Sequence, residues 1–200
     1  MIHPHAQLRF INPEVGFGVF ATRWIPKGTL TWVQDDLDRV VVPDRIAALP
    51  PVYRALLEKY TFRDSSGQHI LCWDLGRFMN HSCVPSCLGL DADFEVAVRD
   101  IQPGEELTDD YGTLFLLAHE DFDCRCGATG CRGRVSEGDC LAQADAWEAL
   151  WGPALALLGQ VPQPLGPVLE NRLGNRPLTG QDSNRPHRSS VRHSGSHNGR

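Results

Sequence analysis

The sequence predicts a mainly β protein, a β-rich α+β fold built from small sheets. Short apolar runs bounded by turn residues recur along the first 110 residues, and most of these runs are too short to be helices. Residues 94–98 place one charged side chain, Glu95, among apolar ones, which we interpret as a half-buried strand with its charge pointing outward. Helical periodicity is confined to residues 43–60 and 139–158.

The predicted strands are short and are separated by Pro and Gly turns. Pro26-Lys27-Gly28 and Gln102-Pro103-Gly104 are two such turns. Six runs have the composition of strands, and they lie at residues 19–22, 29–33, 40–42, 69–74, 94–98 and 106–108.

Two segments have the apolar spacing of helices. After Pro43 the period changes, and Val52, Leu56 and Tyr60 recur at i, i+4 and i+8, which predicts an inserted helical segment. Farther along, Trp147 and Trp151 lie one helical turn apart within residues 139–158. We expect this second helix to dock on the domain and bury both tryptophans.

Charge is distributed unevenly along the chain. Residues 1–171 carry 13 Lys and Arg against 24 Asp and Glu, whereas residues 172–200 carry six Arg against one Asp. An acidic body attracts cationic substrates and repels nucleic acid. Residues 159–200 are rich in Pro, Gly, Asn, Ser and Arg, which predicts a disordered tail that contacts nucleic acid at most weakly.

The composition also predicts a cellular compartment. No apolar run approaches the roughly 18 residues of a membrane span, so no membrane partner is expected. The first ten residues lack the apolar stretch of a secretory signal. Seven cysteines, two of them in a C-x-C pair, suit metal binding or free thiols in a reducing compartment, and we expect a cytoplasmic location.

Three cysteines are spaced like metal ligands. Cys124, Cys126 and Cys131 form C-x-C-x4-C in a loop whose glycines let the backbone curl around an ion. A tetrahedral zinc site needs a fourth soft ligand, and Cys83 and Cys87 are both candidates. Thiolate ligands favour zinc over magnesium or calcium.

Two further stretches carry unusual polar chemistry. RFMNHSCVPSC, from Arg77 to Cys87, places an amide, an imidazole, a hydroxyl and a thiol in succession, which neither a plain helix nor a plain strand requires. ELTDDYG, residues 106–112, ends a strand-like run on Asp110 and Tyr111. Both stretches are therefore candidate functional segments.

Together with GFG at residues 16–18, these motifs in this order resemble the SET-domain protein methyltransferases with a post-SET zinc loop, over about residues 10–135. The compact form is similar to the stand-alone bacterial members. The resemblance implies small β-sheets around a pseudoknot, in which the NHSC and tyrosine segments pass one another. The implied organisation is a SET domain at 1–112 with its inserted helical segment at about 43–68, a post-SET zinc loop at 113–135, a C-terminal helix at 136–158 and the tail at 159–200.

The resemblance also implies site residues. Tyr111 matches the catalytic tyrosine of the family. The cofactor S-adenosyl-L-methionine is implied to contact Gly16, Phe17, Gly18, Arg77, Asn80, His81 and Tyr111. A zinc ion is implied on Cys83, Cys124, Cys126 and Cys131, which selects Cys83 over Cys87.

The implied activity is methyl transfer to lysine side chains of a protein or peptide substrate. The alternative is a catalytically inactive, zinc-stabilised peptide-binding module of the SET type. One departure bears on the product, because Asp109 stands where many members have a phenylalanine that lines the lysine channel. The sequence thus leaves the number of methyl groups and the substrate open.

Overall fold

A computed structural model of the chain describes residues 1–64, 66–90, 93–114 and 116–174. Across these residues the strands are β1 (Ala6–Asn12), β2 (Gly16–Ala21), β3 (Leu30–Val33), β4 (Arg39–Val41), β5 (Thr61–Arg63), β6 (His69–Leu71), β7 (Asn80–His81), β8 (Cys87–Leu88), β9 (Phe94–Ala97), β10 (Glu106–Asp109), β11 (Phe122–Asp123) and β12 (Arg134–Val135). The helices are α1 (Pro43–Ala47), α2 (Pro51–Tyr60), α3 (Asp139–Ala142), α4 (Ala144–Leu155) and α5 (Gly166–Arg172). Short 3-10 helices lie at Leu75–Phe78, Tyr111–Thr113 and Ala118–Glu120.

The strands form small sheets, as the sequence predicted. The sheet that carries the site has the order β1-β2-β10-β7, and two three-stranded sheets have the orders β3-β9-β8 and β4-β6-β5. β11 and β12 form a separate antiparallel pair. β10 therefore lies between β2, which it pairs antiparallel, and β7, which it pairs parallel.

The C-terminal helices cover the β3-β9-β8 sheet. Trp147 and Trp151 are both buried, and the ring of Trp151 stacks on Phe94 with a centroid distance of 5.4 Å. These contacts confirm the predicted docking of two tryptophans. The helical segment is divided between α3 and α4, with Gln143 between them.

The inserted helix α2 is present but differs from a core helix. None of its ten residues is buried, and Val52 and Leu56 are 64% and 49% exposed. Its apolar spacing therefore predicted the helix correctly, although the apolar face is turned to the surface.

The sequence analysis placed the start of the disordered tail too early. Residues 166–172 form α5, and Leu165 and Leu169 are buried against the core. Gln163 accepts a hydrogen bond from the Leu30 N–H at 2.8 Å and donates to the Gly28 carbonyl at 2.7 Å. These contacts compensate for the ordering of a Pro- and Gly-rich segment. The rest of the predicted tail, residues 175–200, lies outside the described residues.

One side-chain direction was predicted wrongly. Glu95 was expected to point outward from an alternating strand, but its Oε2 is enclosed and the residue lines an internal cavity. In β9 the burial pattern increases along the strand and does not alternate. The reason is that side chains from both faces of this part of the chain are packed: Val96 and Val98 lie in the core cluster that contains Trp147 and Trp151, and Ala97 lies in the cluster that contains Trp32 and Met79.

Candidate active site and cysteine cluster

The β1-β2-β10-β7 sheet brings the three sequence motifs together. Thr108 of β10 lies opposite Asn80 of β7, and Asp109 lies opposite His81. On the other side, Glu106 and Leu107 of β10 lie opposite the strand that begins with GFG. The sheet thus brings the GFG segment next to Asn80 and His81, and Tyr111 lies in the 3-10 helix that directly follows β10.

The side chain of Asn80 joins these segments. Its amide nitrogen donates to the Phe17 carbonyl at 3.0 Å and to Glu106 Oε1 at 2.7 Å. Both amide hydrogens are therefore used inside the protein, and Oδ1 is the atom left to receive a ligand donor. Burial raises the pKa of Glu106, and the Asn80 hydrogen bond opposes that rise.

Gly18 makes this contact possible. A Cβ at this position would lie 2.3 Å from Glu106 Oε1, 2.7 Å from Ile11 Cδ1 and 3.0 Å from Asn80 Nδ2. The absence of a side chain at the second glycine of GFG thus lets Asn80 approach the backbone of β2.

Arg77 and Phe17 border the same region. The Arg77 guanidinium donates to the carbonyls of Cys72 and Trp73 and lies 5.0 Å from the centroid of the Phe78 ring. Phe17 is 44% exposed and makes an edge contact with Phe78. An aromatic edge, an amide oxygen and an anchored guanidinium group provide suitable contacts for a ligand with apolar and polar parts.

Tyr111 is fixed at two points. Its hydroxyl donates to the Met79 carbonyl at 2.6 Å, and its backbone N–H donates to His81 Nδ1 at 3.1 Å. Burial raises the pKa of the phenol, and the charges of Asp109 and Glu95 raise it further. The phenol is therefore neutral at physiological pH, and its oxygen can accept a hydrogen bond from an incoming N–H group.

His81 connects Tyr111 to the cysteines. Burial lowers the pKa of His81, so the imidazole is neutral near pH 7. Because Nδ1 accepts from the Tyr111 N–H, the ring hydrogen is on Nε2, which lies 3.3 Å from Cys83 Sγ. This tautomer makes His81 a donor to the Cys83 sulfur.

Four ligand atoms, from His81, Cys83, Cys124 and Cys126, lie within 4.8 Å of one another in the part of the chain that the structure describes, and they form a possible metal-binding cluster. Cys131, which the sequence analysis placed in the ligand set, is not among these four, although its thiol interacts with the thiols of Cys124 and Cys126. A metal on His81 Nε2 would require the ring hydrogen on Nδ1, which already accepts a hydrogen bond. The hydrogen-bond pattern therefore favours the four thiols as a ligand set over a set that contains His81.

Backbone N–H groups surround the thiols. Arg132 N–H donates to Cys83 Sγ, Cys126 N–H to Cys124 Sγ and Gly133 N–H to Cys131 Sγ, each at 3.4 Å. Such bonds stabilise thiolates. Although burial alone would raise the pKa of Cys126, hydrogen bonds lower it to about 6. The donor set thus fits a soft, tetrahedral ion such as zinc.

Cys87, the other candidate that the sequence left open, is fully buried in the core. Burial raises the pKa of its thiol, which lies 3.6 Å from the Ser86 hydroxyl. Its surroundings are those of a core cysteine.

Arg132 joins the cysteine loop to Tyr111's neighbour Asp110. Its guanidinium forms two hydrogen bonds to the buried Asp110 carboxylate, at 2.7 and 2.8 Å, and a further one to Asp139. The indole N–H of Trp147 donates to the same Asp110 carboxylate. Burial would raise the pKa of Asp110, but the Arg132 and Trp147 hydrogen bonds hold it below its usual value. Sequence analysis did not select Arg132; its only sequence signal was its position directly after Cys131.

A cavity of about 520 Å³ opens beside Tyr111. Its lining includes Met79, Phe122 and the two carboxyl residues Glu95 and Asp109. Across one wall, Arg63 of β5 forms an ion pair with Glu120 at 2.8 Å. A cavity of this size accommodates an extended amino-acid side chain and part of a second ligand.

Comparison with known protein families identifies the domain that carries the site. A family model described as the SET domain matches residues 16–112, which include GFG, Asn80-His81 and Tyr111. This part of the chain therefore belongs to the SET-domain family. Within the described residues, every helix is too short or too polar to span a lipid bilayer.

Relatives with this domain are named as histone-lysine N-methyltransferases. SETD1 of Drosophila melanogaster is 39% identical over 72 residues, 32% of this chain and 4% of the relative. Ash1 of the same organism is 33% identical over 139 residues, 64% and 6% of the two chains. An H3 lysine-36 specific enzyme of Yarrowia lipolytica is 29% identical over 198 residues, 89% and 25% of the two chains.

The chain thus spans only a small part of the length of these relatives. A solved Plasmodium falciparum structure aligns with 55% of this chain and 95% of its own, with a TM-score of 0.41 and 18% identity. This last similarity is too low to bear on function.

Proposed function

We propose that the chain is an S-adenosylmethionine-dependent methyltransferase that acts on lysine side chains of a protein substrate. The observation that carries the proposal is the pairing of β7 and β10 inside a SET domain, which places Asn80 and His81 beside Tyr111. The names of the relatives support lysine as the target. The excess of acidic residues in the body supports a basic substrate segment, such as a histone tail.

The proposed cofactor site is the surface around the GFG segment. Gly16, Phe17, Gly18, Arg77, Asn80, His81 and Tyr111 are the residues we propose to hold it. When bound, S-adenosylmethionine supplies a methyl group on a positively charged sulfur. The remaining task of the protein is to exclude water and to orient a neutral amine toward that methyl group. The Tyr111 oxygen, fixed by its bond to Met79, is placed to accept an N–H bond from that amine.

We further propose that Cys83, Cys124, Cys126 and Cys131 hold one structural zinc ion, as a post-SET loop. Arg132 and His81 donate to the Cys83 sulfur, so binding of the ion would fix the loop beside the Tyr111 segment. The free thiols of the described residues support a reducing compartment such as the cytoplasm.

The rival function is a peptide-binding module without turnover. The presence of Asn80, His81 and Tyr111 in one connected site favours the enzyme, since a module that only binds peptides needs no cofactor-binding site. Isothermal titration of the full chain with S-adenosylmethionine tests the first step, and we expect binding. Absence of binding, with folding and metal content intact, would support the module.

Turnover is tested with labelled S-adenosylmethionine on purified core histones and on a lysate of the host organism, followed by mass spectrometry. We expect label on lysine side chains. Label confined to other residue types, or no label on any protein despite cofactor binding, would contradict the proposed function.

A further inference from the structure

Two carboxyl groups in the cavity have no role in the site described above. Asp109 is only 4% exposed, and its Oδ1 has no hydrogen-bond partner among the described residues. Glu95 Oε2 is likewise enclosed and unpartnered within the described part of the chain. Because a buried carboxyl oxygen without a partner costs free energy, such a pair is expected where a ligand completes its hydrogen bonds.

The fold directs both groups into the cavity that Tyr111 lines. Asp109 lies on β10, on the same inward face as Leu107. Glu95 comes from β9, and Gly89 leaves space for it, since a Cβ at Gly89 would lie 2.9 Å from Glu95 Cγ. The fold therefore holds both carboxyl groups in defined positions in the cavity.

The two carboxyl groups and the phenol are within electrostatic reach of one another. Burial raises the pKa of Asp109 well above its usual value, and the charge of Glu95 adds to the rise. Burial raises the pKa of Glu95 to about 7. Both charges contribute to the raised pKa of Tyr111. This part of the cavity is consequently a favourable location for a cation.

The cationic side chains that line the cavity are engaged elsewhere. Arg63 is paired with Glu120, and Arg77 donates to backbone carbonyls. Lys59 lies over the Tyr60 ring, 5.3 Å from its centroid. None of these contacts neutralises Glu95 or Asp109. The N-terminal ammonium acts electrostatically on Glu95 but is itself paired with Asp35 at 2.7 Å, which leaves the position for an external cation.

We propose that Glu95 and Asp109 form a receptor for the target amine in its ammonium form, beside Tyr111. The identification of that amine as a lysine side chain rests on the proposed function. The ammonium group donates N–H bonds to the free Glu95 and Asp109 oxygens, which selects an amine that carries hydrogen atoms. An uncharged side chain of the same length lacks both the charge and these donors.

The receptor also provides for the proton that must leave. A lysine amine is protonated near pH 7 and becomes a nucleophile only after one N–H bond breaks. The proton forms an O–H bond on a receptor carboxylate, the nitrogen keeps the electron pair, and the proton then passes to water. The raised pKa of Glu95 makes it an acceptor suited to neutral pH.

The test uses n-butylammonium chloride, which copies the end of a lysine side chain, and n-butanol as its uncharged isostere. Binding to the full chain is measured by ligand-observed NMR without cofactor. We expect the unmodified protein to prefer butylammonium. The affinity of the double variant E95Q/D109N for butylammonium should fall by at least roughly ten-fold, the scale of one charged hydrogen bond. Binding of n-butanol should change little.

The matched control is D36N/E170Q, which also removes two carboxylates but at exposed positions. It should keep the preference for butylammonium, which separates the receptor from a change in net charge. Circular dichroism and thermal unfolding check that each variant is folded. Amides of nearly equal size replace unpartnered buried carboxyls, so the double variant should fold.

The inference is overturned if the unmodified protein binds both probes equally, or if folded E95Q/D109N keeps its preference. Failure of the proposed function looks different: the unmodified protein would prefer butylammonium yet methylate no protein. Conversely, if E95Q/D109N changes neither the butylammonium preference nor the turnover, the proposed function stands and the proposed receptor is wrong.

Discussion

Tyr111 is held at its hydroxyl and at its backbone N–H before any ligand arrives. Its hydroxyl donates to Met79 and its backbone N–H donates to His81. A group already oriented by the protein needs no reorganisation when it receives an amine, and such preorganisation is a large part of enzymatic rate enhancement. The role of the Tyr111 hydroxyl can therefore be tested by a single substitution.

The first prediction is for Tyr111→Phe. This change removes one hydroxyl and keeps the ring, so cofactor affinity measured by calorimetry should remain nearly constant. Turnover should fall roughly 10²-fold, the scale of one transition-state hydrogen-bonding group. The lost bond to Met79 should cost about 1 kcal/mol of unfolding free energy, measured by urea denaturation. A folded variant with near-normal turnover would show that Tyr111 is not catalytic.

Sequence reasoning at this scale found residues with distinctive chemistry. Asn80, His81 and Tyr111 were selected by motif, and the structure brings them into one connected site. Glu95 was not selected, since a charged residue in an alternating run is normally assigned to solvent. Its enclosure depends on Gly89 and on strands distant in sequence, which local periodicity does not encode.

At the scale of elements, the cysteine loop is attached to the SET domain by Cys83 and by Arg132. The second prediction is that the full chain, purified without chelator, contains one zinc per molecule. Elemental analysis measures the content, and chelation should lower the melting temperature because a structural zinc contributes folding free energy. Cys83→Ser should lose the metal, whereas Cys87→Ser should retain it. Content well below one equivalent would refute the zinc site.

The third prediction concerns the link between this loop and Tyr111's segment. Arg132→Leu leaves Asp110, which is 0% exposed, without its cationic partner. Removing one member of a buried ion pair should cost roughly 3 kcal/mol of unfolding free energy, measured by urea denaturation.

Arg134→Leu is the matched control for this link. Arg134 is two residues away, its side chain is 58% exposed, and it pairs with Asp121 and Asp123 at the surface. Its loss should cost less than about 1 kcal/mol. Equal costs for the two variants would mean that the Arg132–Asp110 pair does not anchor the loop.

Elements with strong apolar patterns were predictable, and polar elements were not. β2, β3, β9 and β10 lie where the sequence predicted strands. β7 is only Asn80–His81, two polar residues whose strand conformation comes from pairing with β10. No propensity identifies such a strand, because its stabilisation is supplied by a partner about 28 residues away.

For the whole molecule, the fourth prediction is a pH dependence of stability. The folded-state pKa of Glu95 is about 7, above its usual value of 4.5. The folded protein therefore holds this proton where the unfolded chain has lost it, so the associated stability is present below about pH 4.5 and is lost as pH rises toward 7. Asp109 shifts in the same direction.

The measurement compares melting temperatures of the unmodified protein and Glu95→Gln between about pH 4.5 and 7.5, a window set by this shift. As pH rises, the melting temperature of the variant should increase relative to that of the unmodified protein by roughly 3 °C or more. Of the groups electrostatically coupled to Glu95, the pKa values of Cys72, Cys87 and Tyr111 are raised, so these side chains stay neutral in the window. A constant difference across the window would contradict the raised pKa.

The overall topology was the part least accessible to residue patterns. Periodicity predicted small sheets, but the position of β10 between β2 and β7 follows from long-range pairing. The close passage of the NHSC and tyrosine segments was suggested only by the resemblance of the motifs to a family, and the parallel pairing of β7 with β10 was not predicted. Similarly, composition assigned residues 159–174 to a disordered tail, because a few well-placed leucines carry little weight in an average.

The last prediction uses that C-terminal boundary. A chain ending after Leu173 keeps α5 and should retain nearly the full melting temperature, since residues 174–200 contain few apolar side chains to bury. A chain ending after Leu158 loses the buried Leu165 and Leu169 and the Gln163 hydrogen bonds to Gly28 and Leu30. Burial of two leucines is worth roughly 4 kcal/mol, so its melting temperature should fall by roughly 10 °C. Thermal unfolding of both truncated chains decides the matter: a large fall in the first would show that the tail docks, and no fall in the second would show that α5 is dispensable.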